Sequence, residues 1–385
     1  MSPKIKVFTV VGTRPDTIKL APVLYELQSR KDITSILCSS GQHKEMLEQA
    51  LSIFGLHPDI NLDVMIPGQS LESLTSRMLT MIADALEEAN PDYVIVHGDT
   101  TTAFCAALAA FYKQIPVVHV EAGLRTHDLR EPFPEEFNRQ AIARIARLNF
   151  APTPKAVSNL LAEGVDQDSV FMSGNTVIES LKIVSERISK GGSLASRVDG
   201  ELNQLFDFDY RFSKTVLITM HRRENIGDGI KDVCTAIARL ASAYPETKFV
   251  FPVHLNPSVG NDVRQILSGL SNVYLVAPLA YAEFVALLSN ASLIITDSGG
   301  IQEEAVSLGK HALVTRKATE RDEGVENGLL EIVSTDGDQI FQSASQILSK
   351  STADAVPVVN PYGQGEISKY IVDAILDHAK YGPLP

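Results

Sequence analysis

Short apolar, β-branched runs alternate with longer stretches of helical periodicity from one end of this chain to the other. Residues 5–11, 35–38, 93–96, 117–120, 148–151 and 170–172 read as strands, with helices near 16–30, 43–54, 70–89, 101–113, 135–147 and 153–163 between them. A second series places strands at 216–220, 248–253, 273–276, 293–296, 312–315 and 330–333. Strands separated by helices pair in parallel, because a parallel neighbour needs a long crossover. The predicted fold class is therefore α/β, doubly wound, twice over. A chain of 385 residues exceeds what a single core usually supports, which also points to two domains. Residues 189–213 are polar and irregular and read as the entry to the second domain; a final helix at about 365–380 follows the break Asn360-Pro361-Tyr362-Gly363. Ligands of such folds bind in the cleft at the carboxyl ends of the strands.

Composition removes several classes of function. A net charge of −13 argues against a general binder of nucleic acid or anionic membrane, so a phosphate site needs local positive charge. Cys38, Cys105 and Cys234 are odd in number and widely spaced, which suits reduced thiols in the cytoplasm. Metal-ligand spacings such as CxxC or HExxH are absent. The opening MSPKIKVFTVVGTRP reads as a first strand rather than a signal peptide. No apolar stretch reaches the roughly 18 residues that would span a bilayer.

The polar residues that end the strands carry the chemistry. Residues 293–309, LIITDSGGIQEEAVSLG, read as strand, two-glycine turn and helix. That arrangement is equally a phosphate cradle at a helix N-terminus or an ordinary βα turn, and Ser298 either donates to a phosphate or caps the helix. After the first strand, Gly12-Thr13-Arg14-Pro15 places Pro15 at the first helical position. It also puts Arg14 and Lys19 near a helix N-terminus, where positive charge is favourable only with an anion bound. Asp99 follows the third strand and is either a helix N-cap or a functional carboxylate. Glu121 ends a buried strand, where an ionised group is costly unless paired or catalytic. Glu135 and Arg139, four apart, could form a helical ion pair. Asp99, Glu121 and Glu135 thus make a carboxylate set able to divide acid and base roles. In the second half, His221-Arg222-Arg223 and His254 end strands, and Arg321 could complete an anion clamp beside Asp322.

Taken together these motifs resemble the non-hydrolysing UDP-N-acetylglucosamine 2-epimerases. The likeness runs through GTRPDTIKLAPV, HGDTTTA, HVEAGLRT, PFPEEFNRQ and SGNTVIES, then HRREN, FPVHLNP, DSGGIQEEA, ATERDEGVE and NPYG, and so covers nearly the whole chain. The resemblance implies the glycosyltransferase-B architecture: two Rossmann-like domains facing a cleft, with the C-terminal helix crossing back. Residues 1–175 with 365–385 are then the first domain and 176–364 the UDP-binding one. It implies C2 epimerisation of UDP-GlcNAc to UDP-ManNAc through UDP and a 2-acetamidoglucal, without metal or cofactor, in a homodimer. Arg14, Lys19, His221, Ser298, Gly299, Gly300, Glu304 and Arg321 are implied to hold the nucleotide and diphosphate, with Glu304 on the ribose and Phe284 at the uracil. Asp99, Glu121 and Glu135, together with His221, are the implied catalytic groups. A second UDP-GlcNAc, bound as activator, would involve Gln42, His43, Gln69, Glu136 and His254. The sequence departs from the pattern at Gly68, where arginine is frequent, and at Asp322, where proline is usual. A related epimerase acting on a modified UDP-sugar and a glycosyltransferase of the same architecture are the alternatives.

Overall fold

The computed structural model describes residues 4–42, 44–220, 227–253, 257–316, 325, 328–349 and 366–382. The chain divides into two compact units, Met1–Ser180 with Tyr362–Pro385, and Leu181–Pro361.

In the first unit the strands are β1 (Ile5–Val11), β2 (Ile33–Ser39), β3 (Ile60–Asn61), β4 (Tyr93–His97), β5 (Val117–Val120), β6 (Leu148–Ala151) and β7 (Val170–Met172). They form one parallel sheet in the order β3-β2-β1-β4-β5-β6-β7. β4, β5 and β6 are buried at every residue, as a sheet covered on both faces requires. The helices are α1 (Arg14–Ser29), α2 (Lys44–Phe54), α3 (Leu71–Ala89), α4 (Thr101–Tyr112), α5 (Glu135–Ile145) and α6 (Pro154–Ala162), and α7 (Val177–Ser189) begins in this unit and runs on into the second. Phe8, Val10, Val94 and Val96 of the sheet pack with Met78 and Ile82 of α3 and with the alanines of α4. The chain builds outward from β1 in one direction through β2 and β3, then returns to lay β4 on its other side. The loops after β1 and β4 therefore leave in opposite directions and open a crevice at the carboxyl edge of the sheet.

The second unit repeats the plan. Its strands β8 (Thr215–Thr219), β9 (Lys248–Pro252), β10 (Val273–Val276), β11 (Leu293–Thr296), β12 (Ala312–Val314) and β13 (Leu330–Ile332) run parallel in the order β10-β9-β8-β11-β12-β13. The reversal falls between β8 and β11. Helices α8 (Ser193–Leu205), α9 (Asp228–Ala243), α10 (Pro257–Leu267), α11 (Tyr281–Asn290), α12 (Gly299–Ser307) and the helix Gly337–Ser349 complete it. Ile218, Phe249, Phe251 and Ile295 bury against Val233, Ile237 and Leu240 of α9.

Three sequence expectations change. The two-residue strand β3 was not anticipated, being too short to show an alternation. Residues 189–213, read as irregular, contain α8, whose Ala195, Val198 and Leu202 are buried at helical spacing. α1 begins at Arg14 behind the N-cap Thr13, so Pro15 is the second helical residue, not the first.

The C-terminal helix Ile367–Tyr381 packs on the first unit through Ile371, Val372 and Ile375. Glu179 caps it, its carboxylate accepting from Ile367 N at 2.7 Å and Ser368 N at 2.9 Å. Arg30 pairs with Asp373, and Tyr93 Oη meets His378 Nδ1 at 2.7 Å. The cysteines are free and buried. Among the described residues no helix is long and apolar enough to cross a membrane.

Candidate active site

At the end of β1 the chain must turn within a crowded corner. A Cβ on Gly12 would stand 2.1 Å from Thr102 Oγ1 and 2.5 Å from Ser40 Oγ, so only glycine fits. The turn is fixed from within: buried Asp16 accepts from Gly12 N at 3.0 Å and Thr13 N at 2.8 Å. Arg14 is half-buried and makes no hydrogen bond or ion pair with another described residue. Ser40 Oγ and Thr102 Oγ1 lie 2.9 Å apart, and Thr102 donates to Gln42 Oε1 at 2.8 Å. Gln42 is thus tied to the same corner.

Glu121 follows β5 with φ at +63°, a left-handed backbone that a glutamate adopts only at a cost of order 1 kcal/mol or more. The conformation sets its carboxylate against Lys19 of α1, with Nζ 2.5 Å from Oε2. Burial by itself would raise the Glu121 carboxyl, but the Lys19 ammonium, with His97 and Arg139 behind it, outweighs burial and holds the group at about 2. Two buried histidines back this pair. His97 Nε2 lies 3.9 Å from Glu121 Oε2 without a hydrogen bond, and burial lowers its pKa to about 3. His119 meets the Gly98 carbonyl through Nε2 at 2.8 Å, and burial lowers it to about 4. Both imidazoles are therefore neutral at pH 7.

Asp99 is not a helix cap. Thr100 caps α4, its hydroxyl accepting from Ala103 N at 3.1 Å. Asp99 instead turns to α5, where Arg139 reaches Oδ2 through Nε at 2.7 Å and Nη2 at 2.5 Å. The carbonyl of Asp99 accepts from Asn138 Nδ2 at 2.8 Å. Burial raises the Asp99 carboxyl, Arg139 opposes that rise, and the neighbouring charges of Glu121 and Glu135 add to it.

The helical ion pair between Glu135 and Arg139 does not form. Arg139 is committed to Asp99 and, through Nη1 at 3.1 Å, to Glu136. Glu136 is fully buried and also accepts from Thr126 N, His127 N and Gln140 Nε2 at 3.0 to 3.2 Å. Glu135 is half-buried and has no hydrogen bond to another described residue. Its charge acts on Asp99. Gln69 accepts from Arg77 Nη1 at 3.0 Å.

In the second unit the corresponding position is the reversal between β8 and β11. Buried Thr219 and Thr296 join hydroxyls at 2.7 Å, and Thr296 Oγ1 accepts from Ser298 N at 3.0 Å. This pins the turn into α12 above buried Asp297. Ser298 is the N-cap residue, yet its side chain makes no capping bond, so its hydroxyl is not spent on the helix backbone; a helix N-terminus is the kind of place where an anion can bind. Gly299 is buried and Gly300 exposed. Glu304 is buried about a turn and a half into α12 and acts electrostatically on Tyr281. Phe284 is half-buried on α11. His43, His221, His254 and Arg321 lie outside the described residues.

The sequence model of the UDP-N-acetylglucosamine 2-epimerases matches residues 25–376 of this chain. The chain belongs to that family. It is 45% identical over 374 residues to the UDP-N-acetylglucosamine 2-epimerase of Neisseria meningitidis serogroup A, covering 97% of this chain and 99% of the relative. Identity to the Escherichia coli O157:H7 enzyme of the same name is 43%, covering 96% and 98%. A crystal structure of the N. meningitidis UDP-GlcNAc 2-epimerase bound to UDP-GlcNAc superposes with a TM-score of 0.82 at 44% identity, over 97% of this chain and all of that one. The Methanocaldococcus jannaschii enzyme in complex with UDP-GlcNAc and UDP gives 0.75 at 30% identity, over 97% and 99%. A glycosyltransferase from Rickettsia africae, 13% identical with a TM-score of 0.57 over 96% and 92%, shares the fold alone. Epimerase family membership thus accompanies a site in which Lys19, Asp99, Glu121 and Glu135 gather at one edge of one sheet. Sequence reasoning did not single out Arg139 as the partner of Asp99, or His97 and His119. The signal for the histidines was a polar residue in an otherwise apolar strand, His97 at the end of β4 and His119 within β5.

Proposed function

We propose that this protein epimerises UDP-N-acetylglucosamine and UDP-N-acetylmannosamine at C2, by eliminating UDP to a 2-acetamidoglucal and adding it back. The observation that carries this reading is the carboxylate set of the first unit, whose members sit in sharply different environments. The C2 proton of such a sugar is not acidic in the ground state. It becomes removable as the C1–O bond breaks and positive charge grows at C1. Glu121, ionised across the neutral range, is a weak base but a fixed negative charge suited to that developing cation. Asp99, which burial raises, is better matched to giving and taking a proton, and Glu135 supplies a second group for the opposite face. In the second unit, Ser298, Gly299 and Gly300 at the N-terminus of α12 take the diphosphate, joined by His221 and Arg321. Glu304 takes the ribose hydroxyls and Phe284 the uracil, while Arg14 adds positive charge. We take the working form to be a cytoplasmic homodimer, as the family likeness implies. An activator site using His43, His254, Gln42, Gln69 and Glu136 would draw on Gln42 and Gln69 amides that already accept from Thr102 and Arg77, and on a Glu136 that already accepts from Arg139.

Incubation with UDP-GlcNAc in deuterated water tests the reading. Deuterium should enter C2 of both epimers in the wild type and be lost in Asp99→Asn; no incorporation in the wild type refutes it. A second reading, the same chemistry on a modified UDP-N-acetylhexosamine, is favoured by Asp322 beside the clamp arginine. Activity on such a sugar with none on UDP-GlcNAc would decide for it. Free UDP released to an acceptor without C2 exchange would instead mark a glycosyltransferase.

A further inference from the structure

The two oxygens of Asp99 are not equivalent. Oδ2 receives both Nε and Nη2 of Arg139, while Oδ1 makes no hydrogen bond to a described residue. Arg139 in turn cannot drift, because its Nη1 is held by Glu136. Glu136 is itself fixed by the backbone of Thr126 and His127 and by Gln140. A fork anchored from behind orients a carboxylate more tightly than a single point charge does. We propose that Arg139 is a positioning residue for the epimerisation: it commits Oδ2 of Asp99 and leaves Oδ1 as the oxygen that exchanges the C2 proton. This rests on the function proposed above.

The same fork also opposes the rise that burial imposes on the Asp99 carboxyl. The charged groups facing Asp99 are Arg139 and Glu135 from α5 and Glu121 from the end of β5, with Lys19 beyond Glu121. Arg139 is the cation in direct contact with it, against the two carboxylates. Replacing the guanidinium therefore separates position from charge: lysine keeps a charge without the fork, and glutamine removes the charge.

The test is a carboxyl-carbon NMR titration of Asp99 in the full-length protein, its resonance assigned by its loss in Asp99→Asn, run beside the C2 deuterium assay. In R139Q the Asp99 midpoint should rise by about 1–3 pH units, the usual effect of an adjacent arginine, and the acidic limb of exchange should rise with it. In R139K the midpoint should stay near that of the wild type while kcat falls by roughly 10- to 100-fold, as expected for a misoriented group, with KM changed by less than about twofold. An unmoved midpoint in folded R139Q, or wild-type exchange in R139K, overturns the inference. Should R139Q fail to fold, the R139K rate carries the decision. A wild type that exchanges no deuterium refutes the proposed function, and the NMR midpoint still decides whether Arg139 holds the Asp99 titration down.

Discussion

Replacing Lys19 with methionine isolates what the ammonium does for Glu121. The Glu121 side chain is 12% exposed, and its carboxyl is displaced from 4.5 to about 2 although burial pushes the other way. A displacement of that size corresponds to about 3 kcal/mol of folding stability at pH 7. Because the folded pKa lies below the unfolded one, this contribution is complete above about pH 4.5. It is lost as the pH falls toward 2. In Lys19→Met the largest charge opposing burial is gone while His97 and Arg139 remain, so the folded pKa rises toward that of the unfolded chain and most of the contribution disappears. Urea unfolding should therefore find Lys19→Met less stable by about 3 kcal/mol at neutral pH. The gap should narrow to about 2 kcal/mol near pH 3.5 and close further below that. Adding Glu121→Gln should restore part of the loss, since the orphaned charge is then removed. A gap that stays constant with pH, or a double variant no more stable than Lys19→Met, would refute the assignment of Lys19 as the group that keeps Glu121 charged.

Gly123 has φ at +86° and its Cβ would meet the Ala156 carbonyl oxygen at 2.3 Å; Gly123→Ala should cost about 3 kcal/mol or more, read from the thermal midpoint. His97 and His119 have folded pKa values of about 3 and 4 against 6.5 unfolded. Their stability contribution is whole above pH 6.5 and falls by about 1.4 kcal/mol per pH unit for each as the medium acidifies. His97→Asn should flatten that acid limb in chemical denaturation. Ser298→Ala should leave stability within about 0.5 kcal/mol, where loss of a true N-cap would cost about 1 kcal/mol, while KM for the UDP-sugar rises in steady-state kinetics.

The layout of the sheets was legible because a strand buried on both faces announces itself as an apolar run, and because each run ends where polarity returns. The short β3 carries no such signal, and in α8 Asp199 and Gly200 masked a periodicity that burial makes plain. Asp99 and Glu121 could be picked out since a charge at the end of a buried strand demands an explanation, and Lys19 because a cation near a helix N-terminus does. Their partners could not. The spacing of Glu135 and Arg139 suggested a pair along one helix, yet Arg139 serves Asp99, 40 residues away in sequence, and Glu136 on the next position. Helical spacing shows which residues share a face, not which neighbour from another element competes for the same guanidinium. Likewise Ser298 could be placed at the helix start from sequence, but whether its hydroxyl was spent on the backbone depended on the turn that Thr219 and Thr296 hold in place.

The left-handed backbone at Glu121 bears on how this lineage can change over time. Glycine or asparagine would relax that turn but would remove the carboxylate that Lys19 holds, so the backbone and the ion pair pull the choice of residue in opposite directions. A glutamate persists at such a position only while something selects for its side chain. Among descendants of this gene, a glycine or asparagine at 121 would thus mark copies that have given up that carboxylate, for its charge and for its chemistry at once, and a screen of genomes could find them by that single codon.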